Sequence, residues 1–194
     1  KKHVAGGYYF RTAPPDKLQA PALSSLIIND GFSKVAIIAL NDSYGQGFAK
    51  ALAKSLKSGG AKVTANVAYD AKGTSYDSDA QKVAASKPKA VAVIAFPDTG
   101  GKVLQALIAA GVGPKDVQIY ATDGLETSSL PTKVDPANLG VIDGLKGTTP
   151  AAAPAGIKSP FTAKFKATGV DAVFSSYYYD CTILTALAAV KAKS

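Results

Sequence analysis

The feature that most constrains this chain is an alternation of two periods: short, unbroken apolar runs separated by segments with helical spacing. Val35-Ala36-Ile37-Ile38-Ala39-Leu40 and Ala90-Val91-Ala92-Val93-Ile94-Ala95-Phe96 are apolar on both faces of an extended segment. Runs of that kind belong to strands covered on both sides, as in a parallel sheet. Val117-Gln118-Ile119-Tyr120-Ala121 reads as a third strand, and Gly144-Leu145-Lys146-Gly147-Thr148-Thr149 as a weaker one. Lys62-Val63-Thr64-Ala65-Asn66-Val67-Ala68-Tyr69 alternates instead, which predicts a strand nearer the edge.

Helices are expected between them. Asp16 is placed to cap a helix carrying Leu18, Ala22, Leu23, Leu26 and Ile27 to a stop at Asp30-Gly31. Gln46 to Ser58 aligns Phe48, Leu52 and Leu56 on one face; Tyr76 to Ala85, Gly100 to Ala110 and Pro160 to Ala167 follow. Tyr178 to Ala192 is an alanine-rich helix with lysines at the end where they complement the dipole. Strand and helix in strict alternation imply right-handed crossovers, hence an α/β fold: a three-layer αβα sandwich around a central parallel sheet. The Ala- and Pro-rich stretch 148–159 is the longest loop-like segment.

Composition removes several function classes. The formal charge is +8, but Arg11 is the only arginine and the lysines are scattered. Nucleic-acid readers rely on clustered arginine forks, so no nucleic-acid partner is expected and the lysines read as a solvated surface. The absence of methionine and the Lys1-Lys2-His3-Val4 start suggest a piece of a longer product. No apolar stretch reaches the length of a membrane span. Cys181 is the only cysteine, so no disulfide can form within the chain. Its apolar surroundings predict a buried small hydrophobe, unless an exported form pairs it with a cysteine elsewhere.

In an open parallel sheet, ligands bind beyond the carboxyl ends of the strands. There the sequence places Asn41-Asp42-Ser43-Tyr44-Gly45-Gln46-Gly47, then Phe96-Pro97-Asp98-Thr99-Gly100-Gly101, then Thr122-Asp123-Gly124. His3 is the only histidine, so no Ser-His-Asp or Cys-His arrangement can be built. A phosphate-binding Gly-x-x-x-x-Gly-Lys loop is absent, and Tyr44-Gly45-Gln46-Gly47 lacks the third glycine of a dinucleotide fingerprint. No cofactor and no metal are expected. The enzymatic alternative is a flavodoxin-like or phosphatase-like protein gathering Asp42, Asp98 and Asp123 around a cation, although a turn or cap explains each aspartate as well.

Several motifs in order carry a resemblance. Tyr9-Phe10-Arg11-Thr12-Ala13-Pro14-Pro15-Asp16 with Gln19-Ala20-Pro21, the strand 35–40 followed by a Tyr-Gly-x-Gly turn at Tyr44 to Gly47, Pro88-Lys89-Ala90-Val91 leading into a strand, and Tyr179-Asp180 with Leu184, Ala186 and Leu187 together resemble type I periplasmic binding proteins of the Leu/Ile/Val-binding family of ABC importers. The resemblance implies a non-enzymatic, two-lobed receptor that closes around a small amino acid, branched-chain or related, and delivers it to a membrane permease. It implies a periplasmic or extracellular location through an export signal or lipid anchor. Residues 1–175 correspond to lobe two and 176–194 to a helix returning to lobe one. A repressor's sensor domain shares the fold and remains an alternative.

Site residues follow from the same resemblance. Tyr44 matches a ligand-lining tyrosine, or is a turn aromatic packed on its helix. Phe96 falls where the family often has a pocket tyrosine, and is equally an ordinary core residue at a strand end. Asp123 falls at the acid that receives the ligand's ammonium, one methylene shorter than the glutamate frequent there. Tyr179 matches a tyrosine near the interlobe opening, with Tyr177 and Tyr178 adjacent to it. In the family the helix containing Leu184, Leu187 and Val190 packs in lobe one, so here it is expected to dock on a neighbouring molecule or to fold back.

Overall fold

The computed structural model describes residues 9–150, 160–170 and 173–192. His3 and most of the stretch 148–159 lie outside them. By contacts the described chain forms two units, Asp16–Thr149 and a second made from the flanking segments.

The larger unit is the expected α/β sandwich. Its strands are β1 (Lys34–Leu40), β2 (Lys62–Tyr69), β3 (Ala90–Ile94), β4 (Gln118–Thr122) and β5 (Lys146–Thr148), all parallel in the order β2-β1-β3-β4-β5. The alternating segment β2 is an edge strand, while β1 and β3, apolar on both faces, lie inside. β1 is buried from Val35 to Leu40 and β3 throughout. Successive residues face opposite layers. Val35, Ile37 and Ala39 meet helices α1 (Asp16–Asn29) and α2 (Ser43–Ser58) through Leu23, Ile27, Phe48, Leu52 and Leu56. Ala36, Ile38 and Leu40 face the opposite layer, with α3 (Asp77–Ala85), α4 (Pro97–Ala109) and the short α5 (Leu130–Val134). Fully burying a Leu, Ile or Phe side chain stabilises by about 1.5–3 kcal/mol, so these two stripes specify the layering.

Two helices begin earlier than their apolar periodicity indicates, and each shift moves the functional rim. Asp42 N-caps α2: its side chain accepts from the Gly45 amide at 2.7 Å, drawing Ser43 to Gly45 into the first turn. Pro97, whose φ is preset for a helix, starts α4, so Phe96 is an extended N-cap residue after β3 has ended at Ile94. Between β4 and β5 the sequence pattern gave no helical signal, yet α5 and 3-10 turns at Asp123–Leu125 and Leu139–Ile142 occupy it. They are too short to express a period.

In the second unit, helix α6 (Pro160–Lys166) stacks Phe161 on Phe165 and sets Phe161 against Tyr179 of α7 (Ser175–Ala192), with ring centroids 5.6 and 5.1 Å apart. Thr12 Oγ1 donates to the Tyr177 carbonyl at 2.9 Å. Phe10, Thr12, Phe174, Tyr178 and Cys181 line an apolar cavity of about 280 Å³. No residue of α7 is buried, and Cys181 is exposed, which corrects the expectation of a core cysteine. Apolar neighbours along the sequence bury a side chain only where another element covers that face. Among the described residues nothing covers Leu184, Leu187 or Val190, which are 58%, 61% and 77% exposed. Thr182 and Thr185 satisfy their hydroxyls internally, donating to the carbonyls of Tyr178 and Cys181.

Candidate functional site

Tyr44, Phe96 and Asp123 come from three different strand ends and meet on one stretch of the carboxyl rim. Tyr44 lies in the first turn of α2, which presses against β1: a Cβ at Gly45 would fall inside the Leu40 carbonyl oxygen and 2.9 Å from the Leu40 nitrogen. Only glycine allows that approach, and it directs the neighbouring ring across the ends of β3 and β4. The Tyr44 ring lies 5.2 Å from Phe96, tilted by 31°, and 6.1 Å from Phe48 one turn further along α2. It therefore packs on its own helix and also lines the rim.

The Tyr44 hydroxyl donates to Thr122 Oγ1 at 2.9 Å. Thr122 is the last residue of β4 and is buried. Burial pushes the Tyr44 phenol well above its ordinary range, against the Thr122 hydrogen bond and reinforced by the charges of Asp123, Asp16 and Asp42. It stays a neutral donor. Phe96 is 46% exposed, so its ring is a surface wall more than a core plug. It covers Gly124, where a Cβ would stand 3.3 Å from the ring.

Asp123 opens the 3-10 turn after β4 and is half-buried. Gln19 Nε2 donates to its Oδ1 at 2.6 Å and also to the Thr148 carbonyl at 2.8 Å. Burial raises the Asp123 carboxyl above its usual range; the Gln19 bond and its own backbone amide work in the opposite direction, while Asp16 and Glu126 push it further up. Beside this cluster, Thr122, Leu125, Glu126, Lys146 and Thr149 line a cavity of about 260 Å³ at the ends of β4 and β5. Tyr44, Phe96 and Asp123 are not among its walls.

The three rim aspartates do not form one cation site. Asp42 caps α2, Asp98 pairs with Lys133 at 2.8 Å, and Asp123 is held by Gln19. Among the described residues no group of three or more His, Cys, Asp or Glu side chains is arranged to hold a metal ion. Tyr179 belongs to the other unit, where its ring contacts Phe161 and is 52% exposed.

Reading for function overlooked Gln19, Thr122 and Thr148. For Gln19 a signal existed: it sits four residues before Leu23 and eight before Ile27, a polar residue on the apolar stripe of α1, and it is only 8% exposed. A buried polar side chain needs a partner, and its partner is Asp123.

Comparison with known proteins agrees with this architecture. The family model described as the receptor family ligand binding region matches residues 5–194. A metabotropic glutamate receptor-like protein E from Dictyostelium discoideum is 29% identical over 143 residues, covering 70% of this chain and 17% of that protein. A Rhodospirillum rubrum structure assigned to a branched-chain amino acid ABC transporter superposes with a TM-score of 0.66 at 22% identity, over 80% of this chain and 42% of the other. A solute-binding protein of an ABC transporter from Rhodopseudomonas palustris HaA2, in complex with p-hydroxybenzoic acid, gives 0.61 at 20% identity, over 66% and 36%. At such identities the solved structures establish the fold, that of type I periplasmic-binding-protein lobes. The chain spans under half the length of each of these relatives.

Proposed function

Since the chain belongs to the family of receptor ligand-binding regions, we propose that it is the lobe-two part of a solute-binding protein that captures a small amino acid, branched-chain or related, for an ABC permease. Its place is then the periplasm or the cell exterior. Within this reading residues 1–175 supply lobe two and 176–194 a helix whose uncovered apolar face has its partner in lobe one. The activity is recognition without covalent chemistry.

The observation that carries the reading is Asp123, a half-buried carboxylate with an aromatic wall beside it. An ammonium meeting Asp123 makes a charge-assisted hydrogen bond, about twice as strong as a neutral one. An aliphatic side chain lies on Phe96 and Tyr44, where apolar contact is stabilising. Asp16 and Asp42 add to the negative potential felt at Tyr44, which favours the cationic end of a zwitterion and disfavours a simple carboxylate such as benzoate. In the intact receptor the ligand shifts a two-lobed equilibrium toward closure by its differential affinity for the closed form. One lobe alone forfeits half of those contacts.

The test is titration of the chain with L-leucine, L-isoleucine and L-valine. Calorimetry is expected to give binding too weak to yield a measurable heat at micromolar ligand, and micromolar affinity would overturn the single-lobe reading. Nuclear magnetic resonance at millimolar leucine is expected to shift signals of Tyr44, Phe96 and Asp123, with p-hydroxybenzoate leaving them in place. If leucine moves none of the three, or the benzoate moves all of them, the amino-acid assignment fails.

A further inference from the structure

Of the three polar side chains buried in the described core, Gln19, Ser24 and Thr122, Gln19 has the unusual assignment of spending one amide nitrogen on two acceptors from different elements. Nε2 carries two hydrogens. One is donated to Asp123 Oδ1, at the end of β4, with Nε2 2.6 Å from that oxygen, and the other to the Thr148 carbonyl, at the end of β5, with Nε2 2.8 Å away. Gln19 itself stands in the first turn of α1, as the fourth residue of this unit, and Thr148 is one residue before the unit's last, Thr149.

We infer that Gln19 is the positioning residue of the Asp123 site: it fixes which carboxylate oxygen faces the rim and ties that orientation to the carboxyl end of β5. The inference rests on the ligand-binding reading of Asp123, but its geometric half is independent of any ligand. An aspartate carboxylate can adopt several rotamers about χ1 and χ2. A ligand that needs one oxygen must otherwise bear the entropy of ordering it on binding. Oδ1 already accepts from Gln19, and in this proposal Oδ2 is the oxygen that meets the ligand cation. The same bond favours the ionised carboxylate, which is the form that accepts an ammonium, against the burial that opposes it. Asp16 from α1 and Glu126 from the following segment also bear on this carboxylate, both with like charge, and the Tyr44 phenol nearby is neutral and bonded to Thr122.

The experiment compares Gln19→Met, of similar length without donors, with Asp123→Asn and the double variant, all in the chain 1–194. Without ligand, the carbon-13 resonance of the Asp123 carboxyl is followed against pH. Gln19→Met is expected to move its midpoint upward and to broaden or average the side-chain signals, with circular dichroism confirming an intact fold. With L-leucine at millimolar concentration, Gln19→Met is expected to weaken the shift response on the order of tenfold, the size of one hydrogen bond to a charged group, and to add nothing in the Asp123→Asn background. An unmoved Asp123 midpoint in a folded Gln19→Met chain overturns the proposal. So does an equal loss of leucine response in both backgrounds, since that is a structural effect not routed through Asp123. If the ligand-free titration behaves as expected while wild type ignores leucine, the positioning role stands and the amino-acid reading falls.

Discussion

Two glycines in the first turns of α2, two residues apart, are expected to respond to the same substitution with opposite sign. Gly47 faces solvent and a Cβ there meets nothing within 4 Å. Gly47→Ala therefore gains only the backbone entropy and propensity difference, about 1 kcal/mol. Gly45 is buried against the end of β1, and its Cβ would fall 2.8 Å from the Leu40 carbonyl carbon and closer still to the oxygen. Backbone cannot rotate away as a side chain can, so the first turn of α2 must lift off the sheet. Overpacking of this kind costs about 3 kcal/mol at its upper range; subtracting about 1 kcal/mol of propensity leaves a net loss of about 2 kcal/mol. For a chain of this size about 1 kcal/mol corresponds to roughly 2–4 °C in Tm. Thermal unfolding followed by circular dichroism should then show Gly47→Ala up by ~2–4 °C and Gly45→Ala down by ~4–8 °C. The lifted turn also withdraws the Tyr44 hydroxyl from Thr122, so the Gly45→Ala chain should lose any leucine-induced shift at Tyr44. A Gly45→Ala chain as stable as wild type would show that α2 does not rest on β1 as described, and with it the account of how Tyr44 reaches the rim.

Three further outcomes are expected. Asp123 has its carboxyl raised by burial, so its ionisation penalises the folded state: the penalty is absent below the unfolded value and complete above the folded one. Asp123→Asn should accordingly unfold at a higher temperature than wild type at neutral pH, with the difference shrinking as the pH falls through the carboxylate range; a Tm advantage that grows toward acid would contradict this. Asp30 has the opposite sign. Hydrogen bonds from Lys146, at 2.8 Å, and from the buried Tyr120 hydroxyl hold its carboxyl below the usual 3.8, so its contribution is present above that value and lost as pH falls through the lowered one. Asp30→Asn should flatten the acid limb of stability measured by urea unfolding, and an unchanged limb would remove Asp30 from the account. Cys181, exposed on α7, should react with a maleimide in the native chain as fast as in urea, where protection would mean that its face is covered in solution.

The sequence made the scaffold legible because the scaffold is built from long-period signals. Six consecutive apolar residues at 35–40 have no solvated face as a strand, and the chain places them inside the sheet. Lys62 to Tyr69 alternates, and the structure puts it at an edge. Boundaries were less readable because they are set by single residues acting against the period. Asp42 pulls the start of α2 back by bonding the Gly45 amide, and Pro97 starts α4 ahead of its apolar stripe. Cys181 was misread for a related reason: a helix apolar on most sides looks like core whether or not anything packs against it.

The site divides along the same line. Tyr44, Phe96 and Asp123 were readable as residues at strand ends, because topology alone sends strand ends to one rim. What joins them was not readable, because the joining contacts are distant in sequence and no local pattern names their partners. Tyr44 reaches Thr122 across 78 positions, and Gln19 reaches Asp123 across 104 and Thr148 across 129. An aromatic wall and an acid supply the rim's chemistry, and in the proposed reading Gln19 orients that acid and ties it to the carboxyl end of β5. A polar residue on an apolar stripe is the one trace such a contact leaves in sequence, since burying an amide without a partner costs about 1–3 kcal/mol. The stripe of α1 carries that trace at Gln19, four residues ahead of Leu23, pointing to the acid that the ligand is expected to meet.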